Sequence, residues 1–399
     1  MVRDTKFPTR LLLASVGVGA GIGAVISVAS SGLAVYFARK IVVPENAPEE
    51  LEILHIDGFS PNMRIHLPAT EETTVRGTYG LYFNQGAGHA VIGDIVEYDP
   101  RSRTVSREIL SVTRGDIKRA AHGRWTGIVY PEPLAAGVDA KDIEIESDAG
   151  KLPAWLLPTD HPEPQSTWAI LVHGRASTRA EGLRAAPILN TLGIPAIAMS
   201  YRNDAEVRVE TTSRYGLGDT EWIDVDAAID FALSHGASDV VLIGWSMGGA
   251  IALQAASRGR NRRFVKALVL DGPVVDWVNV LDNQARLNML PTPIAKLTLE
   301  MITQPWARPI TGLQTPLDLG RLDWVTRAAE LDVPVLLIHS DDDEFVPSSP
   351  SHALASVRRD LVTMPVYEKA RHTKEWNVDP TRWEDDVANF LEAKVLPKS

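Results

Sequence analysis

The sequence predicts an α/β fold in which a mostly parallel sheet is covered on both faces by helices. Short apolar runs alternate along the chain with stretches whose apolar residues recur every three or four positions. One such stretch carries Trp222, Val225, Ile229 and Leu233 and stops at Gly236. The apolar runs that we assign to core strands are 168–172, 194–199, 239–243, 267–271 and 335–339. Strands that alternate with helices are typical of parallel sheets.

A glycine-flanked serine lies at the junction of a predicted strand and a predicted helix. Residues 244–248 read Gly-Trp-Ser-Met-Gly and lie between the apolar run 239–243 and the helix-forming run 250–256. A serine in such a tight turn exposes its hydroxyl, and small residues two positions away on each side avoid a clash with it. The first helical turn then presents unpaired N–H groups to negative charge. The pattern predicts Ser246 as a nucleophile and the N–H of Met247 as an oxyanion donor.

The residues that would activate this serine follow in the chain order serine, acid, histidine. Asp343 lies in an acidic loop after strand 335–339, and Asp271, which ends strand 267–271, is a second possible acid. His372 follows the last predicted strand and precedes an amphipathic helix. An imidazole accepts the serine proton when a carboxylate binds its other nitrogen. We therefore predict Asp343 and His372 as the partners of Ser246, with Asp271 as the alternative acid.

A second oxyanion donor is expected in the loop after strand 168–172. That strand ends in His173-Gly174-Arg175, and the small Gly174 would let the backbone N–H of Arg175 approach the substrate oxygen. We expect His173 to pack or to hydrogen-bond within this loop rather than to exchange protons.

With these motifs the chain resembles the α/β-hydrolase superfamily, in particular the group that includes prolyl-oligopeptidase-like peptidases and Bem46-like hydrolases. The resemblance covers about residues 141–399. It implies an α/β-hydrolase fold without need of a metal or organic cofactor. It also implies the roles of five residues: Ser246 as nucleophile, His372 as general base, Asp343 as orienting carboxylate, and the N–H groups of Arg175 and Met247 as oxyanion hole. One position departs from the family, because the usual His-Gly before the acid loop reads His339-Ser340 here.

Residues 272–326 form an insertion where this superfamily often carries a helical lid. Its apolar residues include Leu287, Met289, Leu290, Ile294, Leu297, Leu299, Met301 and Ile302. Such residues more often pack within a core or lid than contact an acyl chain. Any that face Ser246 would favour a small-molecule substrate with an apolar acyl or leaving group.

The N-terminus carries an uncharged segment, Leu11 to Ala38, of 28 residues. As a helix it would extend about 42 Å, more than the roughly 30 Å that a bilayer core requires, and it is longer than the apolar part of a cleaved signal peptide. Arg3, Lys6 and Arg10 precede it, which favours an N-terminus on the cytoplasmic side. We predict that residues 1–40 form a single-pass membrane anchor with the catalytic domain on the extracytoplasmic side.

Residues 41–140 read as a linker followed by a small β-rich accessory region. The runs 74–83 and 91–98 look like paired strands around the turn-rich segment 84–88. The region is too short for the β-propeller of true prolyl-oligopeptidase-like peptidases, which counts against a dedicated oligopeptidase. The catalytic domain is then expected over residues 141–399.

Composition narrows the function further. The net charge of −11 disfavours a nucleic-acid partner, and the lack of cysteine excludes disulfides and thiolate catalysis. We predict a membrane-anchored serine hydrolase of the carboxylesterase type that works through an acyl-enzyme on Ser246. A serine peptidase or thioesterase with the same fold, and a non-catalytic membrane-tethered binding or scaffolding protein, remain the alternatives.

Overall fold

The computed structural model describes residues 31–45, 47–59, 61–207 and 214–396. Residues 11–30, which make up most of the predicted membrane anchor, lie outside this part of the chain. In the described part no helix is both long and apolar enough to cross a bilayer.

The first described element is a helix over residues 31–42, α1, which extends past the predicted domain boundary at residue 40. Its Ala34, Ala38 and Val42 are fully buried, and their spacing of four residues places them on one face. This face packs on the hydrolase core, where the Thr298 hydroxyl donates to the Ala34 carbonyl at 3.4 Å. The end of the predicted anchor is therefore covered by protein along one side.

The accessory region forms an antiparallel sheet of seven strands in the order β1-β7-β4-β5-β6-β3-β2. Its strands are β1 Leu51–Glu52, β2 His55–Asp57, β3 Arg64–Pro68, β4 Tyr79–Phe83, β5 Gly88–Asp99, β6 Thr104–Arg114 and β7 His122–Thr126. The predicted pair of strands corresponds to β4 and β5, joined by the expected turn at residues 84–87. β4 is shorter than predicted, because residues 74–78 are an irregular approach to it.

The catalytic region contains the second sheet, in the order β15-β14-β13-β12-β10-β11-β9-β8, with β16 beside β14. Its strands are β8 Lys141–Ser147, β9 Gly150–Leu157, β10 Thr167–Val172, β11 Ala196–Met199, β12 Asp239–Trp245, β13 Val265–Asp271, β14 Val335–Ser340, β15 Val362–Thr363 and β16 Val366–Tyr367. Strands β10 to β16 pair in parallel, and β8 and β9 add an antiparallel edge.

Helices cover both faces of this sheet. After α1 they are α2 Ala186–Thr191, α3 Trp222–Ser234, α4 Met247–Arg258, α5 Trp277–Leu287, α6 Thr292–Thr303, α7 Arg308–Thr311, α8 Ser349–Val357, α9 Glu375–Val378 and α10 Pro380–Lys394. Alternate residues of β10 enter different cores: Ile170 and Val172 on one face, Ala169 and Leu171 on the other. This is the pattern expected of a strand that is buried on both faces.

The predicted lid corresponds to α5, α6 and α7 together with the segments that join them. Most of its apolar residues pack as expected of a lid: Ile294, Met301 and Ile302 are buried in the core of the catalytic region. Leu287 and Met289, in contrast, are exposed at the end of α5.

The accessory sheet packs directly against the segment that follows the predicted catalytic histidine. The Asn377 side-chain amide donates to the carbonyls of Thr78, at 2.7 Å, and Gly127, at 3.0 Å. The Thr78 N–H donates back to the Asn377 carbonyl at 2.9 Å. Gly77 has φ +123°, and a Cβ there would lie 2.2 Å from the Asn377 oxygen. Glycine is required at this contact because both the backbone angle and the close approach exclude a side chain.

Candidate active site

Ser246 lies in the turn between β12 and α4, where the sequence predicts a nucleophile. Its φ of +53° and ψ of −117° are unusual for a residue with a side chain. Backbone hydrogen bonds hold this conformation: the Ser246 N–H donates to the Asp271 carbonyl at 3.0 Å, and the Val274 N–H donates to the Ser246 carbonyl at 3.1 Å. The strained turn presents the hydroxyl to His372, in the loop that follows β16.

Two glycines make the turn possible. A Cβ on Gly248 would lie 2.0 Å from the Val172 carbonyl oxygen, and a Cβ on Gly244 would lie 2.5 Å from the Gly248 oxygen. No side chain fits at such distances, because Gly248 packs against the backbone of β10 and Gly244 packs against Gly248 within the turn.

The three predicted catalytic side chains form a continuous hydrogen-bonded row. His372 Nε2 lies 2.8 Å from Ser246 Oγ, and His372 Nδ1 lies 2.6 Å from Asp343 Oδ2. Asp271 does not contact the imidazole, because its Oδ2 instead accepts a hydrogen bond from Trp383 Nε1 at 2.8 Å. The geometry therefore favours Asp343 over Asp271 as the acid.

Asp343 carries its charge in a buried position. Burial raises the pKa of its carboxyl group, but His372 and hydrogen bonds from His339 and His372 outweigh burial and hold the pKa well below its usual range. The backbone N–H groups of Phe345 and Val346 both donate to Asp343 Oδ1 at 2.9 Å. A carboxylate with so many donors stays ionised and fixes the Nδ1–H tautomer of His372.

Ser340, which replaces the glycine usual in the family, connects the loop of Asp343 to the loop of His372. Its hydroxyl oxygen accepts hydrogen bonds from the N–H groups of Asp342, at 3.1 Å, and Ala370, at 2.9 Å. A glycine could not make these contacts. The neighbouring His339 is fully buried, and its Nε2 lies 3.3 Å from Asp343 Oδ2, the oxygen that His372 also contacts.

The loop after β10 is held at several points around Arg175. The Gly174 N–H donates to Glu181 Oε2 at 2.7 Å, and the Ala176 N–H donates to the Tyr215 hydroxyl at 3.2 Å. Among the described residues no protein acceptor takes the N–H of Arg175 or that of Met247. Gly174 also lies against the nucleophile, because a Cβ there would be 3.1 Å from Ser246 Cβ. Both predicted oxyanion donors are thus free to bind a substrate oxygen.

His173 is buried within the loop, as its sequence position suggests. Its Nδ1 lies 2.9 Å from the Gly174 carbonyl, its Nε2 lies 2.8 Å from Asp204, and its ring stacks on Tyr201. Burial lowers the pKa of His173, but the charge and hydrogen bond of Asp204 and the hydrogen bond to the Gly174 carbonyl together outweigh burial and raise the pKa overall. These contacts give His173 a structural role in shaping the oxyanion loop.

Comparison with protein-family models gives two matches. Residues 169–388 match the family described as "Alpha/beta hydrolase family". The chain belongs to the alpha/beta hydrolase family. Residues 52–126, which include most of the accessory sheet, match a "Domain of unknown function (DUF8805)". No curated protein matches the chain.

A solved esterase structure shares the fold of this alpha/beta hydrolase at low sequence identity. An esterase from Pyrococcus furiosus has a TM-score of 0.52 and 18% identity, over 67% of this chain and 95% of its own. A second crystal form of that enzyme gives a TM-score of 0.50 and 19% identity, over 67% and 97% of the two chains. The esterase RhEst1 from Rhodococcus sp. has a TM-score of 0.44 and 20% identity, over 63% and 99%.

A pair of buried carboxyl groups lies behind the catalytic row of this hydrolase. Asp271 and Glu375 are both fully buried. Glu375 Oε1 accepts the Ser340 N–H at 2.9 Å, whereas Glu375 Oε2 and Asp271 Oδ1 have no other partner among the described residues. Burial, and then the charge and hydrogen bond of Asp271, raise the pKa of Glu375 well above its usual value. A single proton shared by the two carboxyl groups satisfies both oxygens.

The sequence analysis missed the residues that support the triad rather than form it. Glu375 and Asn377 follow His372 within five positions, and Arg184 donates to the Thr373 carbonyl at 2.6 Å and to Asn377 Oδ1 at 3.2 Å. Charged and amide residues so close to a catalytic histidine are a usable signal for Glu375 and Asn377. Arg184 lies 189 positions from Thr373 and gives no such signal. No group of three or more metal-binding side chains occurs among the residues in the ranges above.

The two candidate acids can be separated by substitution. Asp343→Asn keeps the shape of the side chain but no longer stabilises the required His372 tautomer, so we expect kcat to fall by about 10⁴-fold. Asp271→Asn can still form hydrogen bonds with Trp383 and Glu375, so its kcat should fall far less. Ester hydrolysis by both variants, with circular dichroism as a folding control, measures the difference, and the reverse order of activities would assign the role to Asp271.

The shared proton predicts how stability varies with pH. The folded state retains the Glu375 proton to a higher pH than the unfolded chain does, so stability is lost as pH rises from the ordinary glutamate range toward the raised pKa. Glu375→Gln can donate to Asp271 and accept from Ser340 without that proton. Relative to wild type, its unfolding free energy should therefore rise with pH by up to about 1.4 kcal/mol per unit.

Chemical denaturation at several pH values between 5 and 8 measures this difference. The exposed Glu392 provides a matched control, because Glu392→Gln removes the same charge without touching a buried pair. Parallel stability curves for wild type and Glu375→Gln would contradict the shared proton.

Proposed function

We propose that this hydrolase cleaves carboxylic esters through an acyl-enzyme on Ser246. The observation that carries the proposal is the row Ser246, His372 and Asp343, with both contacts at hydrogen-bond distance. His372 Nε2 takes the hydroxyl proton while Ser246 Oγ attacks the ester carbonyl. The N–H groups of Arg175 and Met247 then stabilise the oxyanion.

Breakdown of the tetrahedral intermediate uses the same groups in reverse. His372 gives its proton to the leaving alcohol, which leaves the acyl group on Ser246. A water molecule then gives a proton to His372 and attacks the acyl carbonyl, and the acid product departs as Ser246 Oγ regains the proton. Asp343 remains ionised throughout and stabilises the imidazolium that forms in each half-reaction.

The esterase activity named for the Pyrococcus furiosus structure is consistent with this choice of bond. A peptidase or thioesterase would use the same residues. A binding or scaffolding protein would have no need of a serine, histidine and carboxylate in contact, so the geometry favours an enzyme over that alternative.

A separate apolar cavity lies beside the lid, and its walls include none of the candidate catalytic residues. This cavity of about 280 Å³ lies between α1, α5 and α6 and includes Phe37, Ile41, Leu281, Leu290 and Leu299 in its walls. The side chains of Asn283 and Gln284 on α5 donate to the carbonyls of Glu344 and Phe345, next to the acid. The lid helix that borders the cavity is thereby attached to the catalytic loop.

Substitution of the nucleophile tests the proposal. Ser246→Ala removes the attacking oxygen, and we expect kcat for p-nitrophenyl esters to fall by several orders of magnitude, with the residual rate coming from the oxyanion hole. A fluorophosphonate probe should label the wild type and not the variant. Retention of most of the esterase activity by a folded Ser246→Ala protein would refute the assignment.

We also propose that the N-terminal uncharged segment anchors the enzyme in a membrane. Removal of residues 1–30 should release the protein from the membrane fraction and keep its esterase activity, because the first described contact with the core lies at Ala34. Fractionation of the full chain and the shortened chain tests this. Recovery of the full chain in the soluble fraction without detergent would exclude the anchor.

A further inference from the structure

A large cleft separates the accessory sheet from the catalytic region, and nothing in the proposed chemistry accounts for it. Its volume is about 1030 Å³, and its walls come from the segment 43–49, the accessory strands and the loops after β10 and β11. Residues 176–180, which directly follow the oxyanion donor Arg175, form part of one wall. Gly174 contacts the nucleophile, and two residues span at most about 7 Å. The cleft therefore begins close to Ser246.

Two arginines of the accessory sheet face this cleft from one row of side chains. In that row Arg124 on β7 pairs with Tyr82 on β4, Tyr82 pairs with His89 on β5, and His89 pairs with Arg114 on β6. Residues directly opposite in antiparallel strands point to the same face. The Arg124 guanidinium stacks 4.6 Å from the centre of the Tyr82 ring, which also borders the cleft.

Most of the acidic groups around the cleft are bound by other partners. The Glu49 carboxylate accepts the N–H groups of Gln85, at 3.0 Å, and Gly86, at 2.8 Å. Asp204 accepts from His173 and from the Tyr201 N–H at 2.9 Å. Glu206 pairs with Arg179 at 3.3 Å and with the Ser200 hydroxyl. The fourth acidic group, Glu45, is exposed, and its charge partly offsets the lowering of the Arg175 pKa by burial.

Arg124 and Arg114, by contrast, have no ion-pair partner within the described ranges. Arg124 is half-buried, and burial lowers the pKa of its guanidinium, with only a partial opposing effect from Tyr82 and Glu49. A partly desolvated guanidinium without a carboxylate partner is unfavourable unless an anion binds it. The described walls of the cleft hold four guanidinium groups and four carboxylates, so an anion site there depends on the unpaired Arg124 and Arg114 and not on an excess of positive charge.

We propose that the cleft binds an anionic group of the ester substrate, a carboxylate or phosphate, through the guanidinium groups of Arg124 and Arg114. Planar guanidinium groups bind both anions with paired hydrogen bonds, and stacking on Tyr82 keeps Arg124 in position. In this proposal the accessory domain supplies the arginines that bind the anionic group, while Ser246 attacks the ester carbonyl of the same substrate. This inference rests on the proposed esterase activity.

Matched esters test the proposal on the full chain. One pair places the anion on the acyl side, with mono-p-nitrophenyl adipate compared with p-nitrophenyl hexanoate. The other places it on the alcohol side, with 4-carboxyphenyl hexanoate compared with 4-carbamoylphenyl hexanoate. For one pair we expect kcat/KM to be at least about ten-fold higher for the anionic ester, as charge-assisted hydrogen bonds would give. The preference should shrink at high salt concentration.

Variants then link the preference to the cleft. Arg124→Gln should lower the ratio of kcat/KM for the anionic ester to that for the neutral ester by about ten-fold. The exposed Arg114→Gln should lower it in the same direction and provides a second variant if Arg124→Gln fails to fold. Arg119→Gln removes an exposed charge from the same domain, outside the walls of the cleft, and should leave the ratio unchanged.

The outcomes separate this proposal from the esterase assignment. Hydrolysis of the neutral esters with no anionic preference in either pair would overturn the anion site and leave the esterase standing. An anionic preference that persists in both Arg124→Gln and Arg114→Gln would also overturn it. A lack of hydrolysis of all four esters, together with no fluorophosphonate labelling, would instead count against the esterase itself.

Discussion

The register of three parallel strands is the constraint on which the active site depends. Trp245 at the end of β12 pairs with Asp271 at the end of β13, which pairs with Ile338 near the end of β14. Because the carboxyl ends of parallel strands meet at one edge of the sheet, the chain segments that leave these strands begin side by side. One of them carries Ser246, the predicted nucleophile, and another carries Asp343, the predicted acid. Strand β16 then pairs with the last two residues of β14 and brings the loop of His372 to the same edge.

Because these segments lie close together at the sheet edge, several ionisable groups are buried near one another. The pKa of each group therefore depends on whether its neighbour is protonated. Asp343 stays ionised because it collects two backbone N–H groups and two imidazoles. Asp271 and Glu375, by contrast, form no ion pair with a cation in the described part of the chain, and the raised pKa of Glu375 favours a protonated carboxyl group that can donate to Asp271. Burying a second ionised pair beside Asp343 would be costly. The Asp343 charge itself contributes to the raised pKa of Glu375, so the charged state of one group favours the neutral state of the other.

The residues of the hydrogen-bonded row could be brought together from sequence because each belongs to a local pattern with a physical cause. Ser246 is marked by glycines that close packing requires, and Asp343 and His372 follow buried strands in a fixed order. Supporting contacts are different: Arg184 reaches Thr373, and Asn377 reaches Thr78, across large separations in the chain. No local pattern encodes such pairs. The same limit applies to α1, whose apolar residues read as part of a membrane span although one face of the helix packs on the catalytic core.

The accessory sheet contacts two parts of the molecule at once. It packs against the segment that follows His372, and it forms one wall of the cleft. Asn377 holds the edge formed by Thr78 and Gly127 against the segment that follows His372. The strands next to this contact are β4 and β7. The row of side chains that includes Tyr82 and Arg124 is therefore held in a fixed position relative to the loop after β10. A shift of the accessory sheet would therefore move both the segment that follows His372 and the cleft wall that carries Arg124 and Arg114. The domain of unknown function, through Thr78, is thus hydrogen-bonded directly to the segment that carries the predicted base.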